Sequence, residues 1–448
     1  MRGGYGFFFD RFAVNSLMTL EQDNGGPNSQ QQISVNNPTC FSATSLSAAL
    51  AQPGSNCNAG SAVTPQIYQL QTGYHSPYSE QLGTSLERQL TKTTTLTFTY
   101  MHTYGVHQMA TRNANAFLPG TFVYGSPTLT GTRPNPSLGI VREFYPEAVY
   151  KQNQFIVNVN ARITPAFSMT GYYTFNNANG NTGTASNSYN LHQDYGRSGF
   201  VMRQMVFLMG NYSGKWGISY NPFLIAQAGR PFNITTDTDL TGDNFFNNRP
   251  TLAASSSCTG SSQFVQTSFG CLDTVPQAGE TLLPSNLGNS PAAVSVNLRV
   301  SRSFGLGPKV AAPAGRGGPG GGGPGGPGGF GGAGMGGPGG GGPGGGGGGM
   351  RGGGGFGGGG GGMRGGMSNT GRKYSLTFSA QALNLFNDID YGTPSGSVVP
   401  TLLSGSGSTA VYGPGSRFNK STSLAGGMFA SPTGSAARRI FIQAAFSF

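Results

Sequence analysis

The chain has 448 residues, of which only 9% are charged and 78 are Gly. That mixture excludes a helical protein, which would be rich in Ala, Leu, Glu and Lys, and the length excludes a single small globular domain. The net charge is +11, but the basic residues stand singly, as at Arg162, Arg197, Arg230, Arg249 and Arg299, so no nucleic acid is expected as a partner.

The opening Met1-Arg-Gly-Gly-Tyr-Gly-Phe-Phe-Phe9 already reads as a strand. It has neither the continuous apolar stretch nor the cleavage site of a signal peptide, so the chain is expected to begin inside a larger protein. A polar stretch from Ala13 to Tyr78 follows and contains Cys40 and Cys57. Their spacing fits no zinc knuckle, and a local disulfide in an oxidising compartment is expected.

Two-residue alternation then begins. Leu82, Thr84, Leu86 and Leu90 share a face against Gln81, Ser85, Glu87 and Gln89, and after Leu90-Thr91-Lys92 the residues Leu96, Phe98 and Tyr100 oppose Thr93, Thr95, Thr97 and Thr99. His102 and His107 fall at the outer end of that strand, and a long loop is expected from Gly105 to Lys151. Next, Phe155, Val157, Val159 and Ala161 oppose Asn158, Asn160 and Arg162. Past Thr164-Pro165-Ala166, Phe167, Met169, Gly171, Tyr173 and Phe175 oppose Ser168, Thr170, Tyr172 and Thr174. Such segments have the length of a tilted membrane strand, about 9–11 residues.

A loop from Asn176 to Gly199 leads to strands around Met205 and Ile218, joined by Ser213-Gly214-Lys215 and apolar on both faces in part. The stretch from Gly229 to Ser290 holds two features. Cys258 and Cys271 form a second expected disulfide. Asp237, Asp239, Thr241 and Asp243, with Gly242 among them, resemble the first half of a calcium loop. The Glu expected six residues beyond that Gly is replaced by Asn248, so calcium stands beside a hydrogen-bonded Asp/Asn turn as the two readings.

Val294, Val296, Leu298 and Val300 then oppose Ser295, Asn297, Arg299 and Ser301. Tyr374, Leu376, Phe378 and Ala380 oppose Ser375, Thr377, Ser379 and Gln381. Between these strands, residues 313–367 are nearly all Gly with Pro, Met, Phe and Arg; such low complexity cannot offset its ordering entropy and is expected to be disordered. The organisation is therefore 1–312 strands and loops, 313–367 the Gly/Pro-rich insertion, and 368–448 the last strands. The chain closes with Ile440, Ile442, Ala444, Phe446 and Phe448 on one face and Arg439, Phe441, Gln443, Ala445 and Ser447 on the other.

Short turns alternating with long loops, and a terminal aromatic strand, give the fold class: an all-β, antiparallel transmembrane β-barrel of the bacterial outer membrane, with roughly ten strands present. The mean hydropathy of −0.23 is compatible with it, because a barrel needs apolar residues only at alternate positions. No catalytic residue emerges. The sequence holds no Walker A loop, no Gly-x-Ser-x-Gly elbow and no metalloprotease spacing among its four His, and its carboxylates are dispersed.

The segment Gln381-Ala-Leu-Asn-Leu-Phe-Asn387 followed by a long loop and a terminal aromatic strand resembles the TonB-dependent receptors. Four further phrases resemble the Oar-like branch: Arg2-Gly-Gly-Tyr-Gly-Phe7, Ser76-Pro-Tyr-Ser-Glu-Gln81 leading to Leu86-Glu-Arg-Gln-Leu90, Asp194-Tyr-Gly-Arg-Ser198, and Thr241-Gly-Asp-Asn244 with Asn247-Asn-Arg-Pro250. The resemblance implies the C-terminal portion of a barrel of roughly 22 strands. Members also carry a signal peptide, a regulatory-like domain, a plug and a TonB-contacting segment, none of which is expected among these residues. It implies transport of a large solute, such as a siderophore, glycan or peptide, captured by long outer loops. Asn158, Asn160, Arg162, Asn297, Arg299 and Gln443 would line the lumen. The implied partners are outer-membrane lipid, the barrel-assembly machinery through the C-terminal strand, and the TonB complex through the N-terminal parts. The alternatives are a small closed barrel acting as a passive pore or adhesin, and a non-membrane structural protein whose working part is the Gly tract.

Overall fold

The computed structural model describes residues 1–10, 14–26, 66–125, 130–277, 279–309, 372–425 and 437–448. Cys40, Cys57 and the tract 313–367 lie outside the described residues.

Ten strands form one antiparallel path: β1 (Arg2–Phe9), β2 (Tyr78–Thr91), β3 (Thr94–Asn113), β4 (Val141–Thr164), β5 (Phe167–Gly180), β6 (Gln204–Ser213), β7 (Ile218–Gln227), β8 (Ala293–Lys309), β9 (Arg372–Leu383) and β10 (Arg439–Ser447). They lie side by side in chain order, β1 and β10 being the ends of the path. The short connections are where the alternation breaks. Thr91 pairs with Thr94, Thr164 with Phe167, and the β6–β7 hairpin returns through Trp216 and Gly217, both at positive φ. These turns share one end of the sheet with Lys309, Arg372 and Ser447.

Register sorts the side chains into two faces. Val159, Gly171, Leu208, Leu224 and Val296 make one row across β4–β8, and Asn160, Thr170, Met209, Phe223 and Asn297 make the next, on the opposite face. The apolar face continues through Leu298, Ala382 and Ile440 to the end of the path. At the loop end of β8 exposure is inverted relative to a protein folded in water: Val294 is 46% exposed, whereas Ser295 is 0% and Asn297 4% exposed. Apolar side chains out and polar side chains in is the arrangement lipid demands of a spanning sheet.

Two expectations change. The stretch from Gly105 to Lys151 is not all loop: β3 continues to Asn113 and β4 begins at Val141, with Ala110 paired to Tyr145 and Arg112 to Glu143. These strands of 20 and 24 residues exceed the roughly 9–11 needed to cross a bilayer, so their tips stand beyond it. The Arg112–Glu143 ion pair at 2.6 Å helps hold the tips together. The stretch from Ala13 to Tyr78 contains a helix, Val14–Gln22, and a short strand, Ile67–Leu70, that pairs in parallel with the start of β4.

The doubly apolar strands around Met205 and Ile218 have a local cause. On the otherwise polar face, Met205, Phe223 and Ile225 pack with Tyr172, Phe207, Met209, Ala293 and Ala425. Tyr172 stacks on Phe207 with ring centroids 5.1 Å apart.

The connections at the other end pack on one another. Phe232, Ile234, Val265, Leu272, Leu283, Val398 and Phe418 form their core. A three-stranded sheet of Thr251–Leu252, Phe264–Thr267 and Gly270–Asp273 lies among them, and Cys258 is bonded to Cys271.

Candidate functional site

Two structures offer themselves to a solute: the polar face of the sheet and the packed loops above it. The six residues expected in the lumen all fall on the polar face. Asn160 and Asn297 share a row, Asn158 and Arg162 are two positions either side of Asn160, Arg299 pairs with Gln381, and Gln443 pairs with Ser379. They do not form one pocket. Asn158, Asn160, Arg162 and Gln443 are exposed singly along the wall. Asn297 is buried at the loop end, where its Oδ1 accepts from the backbone N–H of Asn384 at 2.7 Å. Arg299 Nη2 donates to Ser379 Oγ at 3.3 Å. A wall of dispersed Asn, Ser, Thr and Arg offers many weak hydrogen bonds and no single tight one.

The loops gather phrases that are far apart in sequence. Arg249, from Asn247-Asn-Arg-Pro250, donates through Nη2 to Asp194 Oδ1 at 3.0 Å and through Nη1 to the Leu283 carbonyl at 2.8 Å. Asp194 also accepts from the backbone N–H and hydroxyl of Ser186. Burial pushes the Asp194 carboxyl up, against the opposing pull of Ser186 and Arg249. Arg197, from the same Asp194–Ser198 phrase, ties the loop end of β5 to residues 286–289.

The acidic segment is the second knot. Asp239 accepts four backbone N–H groups: those of Thr241, Gly242 and Asp243 at Oδ1 and that of Asn244 at Oδ2. Asp243, fully buried, accepts from Ser188 N and Oγ at Oδ2 and from Phe245 N at Oδ1. Burial, with Asp239 beside it, raises its carboxyl to about 6. The strand tips clasp this segment: Asn113 Nδ2 donates to the Asp243 carbonyl, and Arg142 donates to the Asn244 carbonyl while its guanidinium lies 3.8 Å from the Phe245 ring centroid. The carboxylates of Asp239 and Asp243 thus spend their lone pairs on the chain itself. Among the described residues no group of three or more Asp, Glu, His or Cys side chains gathers as metal ligands. The positions Asp237, Asp239, Thr241 and Asp243 stand as a hydrogen-bonded turn, with Asp237 and Asn244 both at positive φ.

His102 and His107 sit at the outer part of β3. His102 Nδ1 is 2.9 Å from Asn153 Oδ1, and His107, at positive φ in a bulge, lies 5.3 Å ring to ring from His75. Sequence reasoning missed Arg142 and the partners of Asp194 and Arg249. The phrases that hold Asp194 and Arg249 were noticeable, but pairing across loops has no periodicity to betray it.

The sequence profile of the outer membrane beta barrel domain matches residues 1–311. The chain belongs to the outer membrane β-barrel domain family. Its place is accordingly the bacterial outer membrane, and its exposed apolar face is the lipid face. No curated protein sequence matches it. Among solved structures, the outer membrane transporter YddB from Escherichia coli is similar over 85% of this chain and 34% of its own, at 10% identity and a TM-score of 0.37. The FrpB iron transporter from Neisseria meningitidis is similar over 85% and 33%, at 6% identity and 0.36. The FpvAI–pyocin S2 complex is similar over 84% and 27%, at 8% identity and 0.34. This outer membrane barrel chain spans about a third or less of the length of those proteins.

Proposed function

We propose that this chain is the C-terminal portion of the barrel of an Oar-like, TonB-dependent outer-membrane transporter, and that it takes no catalytic part. The polar face of β4–β10 would form a sector of the passage for a large solute. The packed loops would be the side that meets that solute first. The observation that carries the reading is the single polar face shared by Asn158, Asn160, Arg162, Asn297, Arg299 and Gln443, opposite a continuous apolar face. Coupling to the TonB complex belongs, in this reading, to parts of the transporter other than these strands, and assembly would use the terminal strand β10. Planar-bilayer recording of the refolded chain tests the proposal. No steady conductance is expected from this chain alone; persistent ohmic channels would replace the transporter by a passive pore.

A further inference from the structure

The loops enclose a polar cleft apart from the wall described above. Its volume is about 170 Å³, well below the roughly 300–1,000 Å³ of pockets for drug-sized ligands, so it admits one ring-sized molecule. It opens where the Asp194–Ser198 phrase meets Asn247 and residues 285–286, and Asn181, Ser186, Ser198, Asn233, Asn247 and Asn286 are among its walls. Phe200 supplies an apolar side, its ring stacked on Tyr150 at 5.6 Å.

Charge in the cleft is balanced and already committed. Its walls carry one carboxylate, Asp194, and one guanidinium, Arg197. Asp194 is held by Ser186 and Arg249. Arg197 donates from Nε to the Asn286 carbonyl at 3.0 Å, from Nη1 to Asn289 Oδ1 at 2.9 Å, and from Nη2 to the carbonyls of Leu287 at 2.6 Å and Gly288 at 3.1 Å. An ion would gain little there. Two neutral polar atoms in the walls, by contrast, have no hydrogen-bond partner: Ser198 Oγ and Asn247 Oδ1. Ser198 is only 7% exposed. The Asn247 amide nitrogen donates to the carbonyls of Thr184 and Ala185, and its oxygen is buried with no donor. Burying such groups unsatisfied is costly, and a hydroxyl that turns to either donate or accept matches another hydroxyl.

We propose that this cleft binds one uncharged, polyhydroxylated ring, a single sugar unit, with Ser198 and Asn247 meeting its hydroxyls and Phe200 lying against its C–H face. The site rests on the reading of these loops as the side that captures solute, but it is tested by binding alone. Saturation-transfer NMR on the detergent-solubilised full chain would use methyl α-D-glucopyranoside, methyl β-D-galactopyranoside and methyl α-D-mannopyranoside, with sodium glucuronate as the charged comparator. At least one neutral glycoside is expected to show transfer. Ser198→Ala and Phe200→Ala, each checked for the heat-modifiable mobility of a folded barrel, are expected to weaken it at least about fivefold. Absence of transfer from all three, equal transfer in both folded variants, or equal transfer from glucuronate would overturn the assignment. Because no transport step is read, channels in the bilayer experiment would leave a positive binding result standing, and absent binding would leave the transporter reading standing.

Discussion

Arg249 and Asp194 are 55 residues apart in sequence and 3.0 Å apart in space, the arginine side chain 2% and the aspartate 13% exposed. Removing one partner of such a pair leaves the other buried and unpaired, at a cost of about 3–5 kcal/mol. Arg249→Ala also deprives the Leu283 and Gln193 carbonyls of a donor. Proteinase K cleavage between residues 229 and 290 should accelerate by about a hundredfold to a few thousandfold, since cleavage follows the population of opened loop. Arg249→Lys should fall between, because an ammonium cannot reproduce the guanidinium fork.

Asp243 makes the loops sensitive to pH. Its folded carboxyl titrates near 6, against about 3.9 unfolded, so between these values the folded state holds a proton that the unfolded state has released. Stability of the 239–245 turn therefore falls as pH rises from about 4 to about 6 and is flat beyond, by up to about 3 kcal/mol for a two-unit shift. Amide exchange at Asn244 and Phe245, corrected for intrinsic rate, should show more protection at pH 4.5 than at pH 7. Asp243→Asn should abolish that step.

The Cys258–Cys271 bond closes a loop 13 residues long beside the three-stranded loop sheet. A loop of about this length contributes roughly 3 kcal/mol by restricting the unfolded chain. Cys258→Ser with Cys271→Ser should expose the 251–273 segment to protease while leaving the heat-modifiable mobility of the barrel unchanged. Loss of that mobility as well would show that the loop sheet and the ten-stranded sheet fold as one unit.

Leu224 and Asn160 stand on opposite faces of neighbouring rows. Arg on a lipid face costs about 2–4 kcal/mol near the bilayer midplane and little in a watery lumen. Leu224→Arg should lower the free energy of barrel unfolding in lipid vesicles, read from urea titration, by that amount, and Asn160→Arg should leave it within about 0.5 kcal/mol.

The strands were legible because a period of two leaves a written trace. Leu96, Phe98 and Tyr100 against Thr95, Thr97 and Thr99 announce which side meets lipid without any knowledge of neighbours. The six polar positions of the wall followed from the same alternation. It blurred at Met205, Phe207, Phe223 and Ile225, where the polar face carries its own apolar cluster under the loops. The strand tips beyond Gly105 were missed because polar residues paired outside the membrane, such as Arg112 with Glu143, look like loop. The loop knots were invisible for a deeper reason. Asp239 turning on its own backbone and an ion-binding Asp are the same letters, and only the position of the N–H groups separates the two.

If one face of this sheet meets lipid and the other meets water, residues 157–160 of β4 must alternate between the two. Single cysteines at Val157, Asn158, Val159 and Asn160 would carry spin labels in reconstituted vesicles. The background would have Cys40 and Cys57 replaced by Ser, with Cys258–Cys271 left oxidised. Relaxation by membrane-dissolved oxygen should dominate at 157 and 159, and relaxation by a water-soluble nickel chelate at 158 and 160. Equal accessibility at all four positions, or the opposite alternation, would mean that these faces do not divide lipid from water.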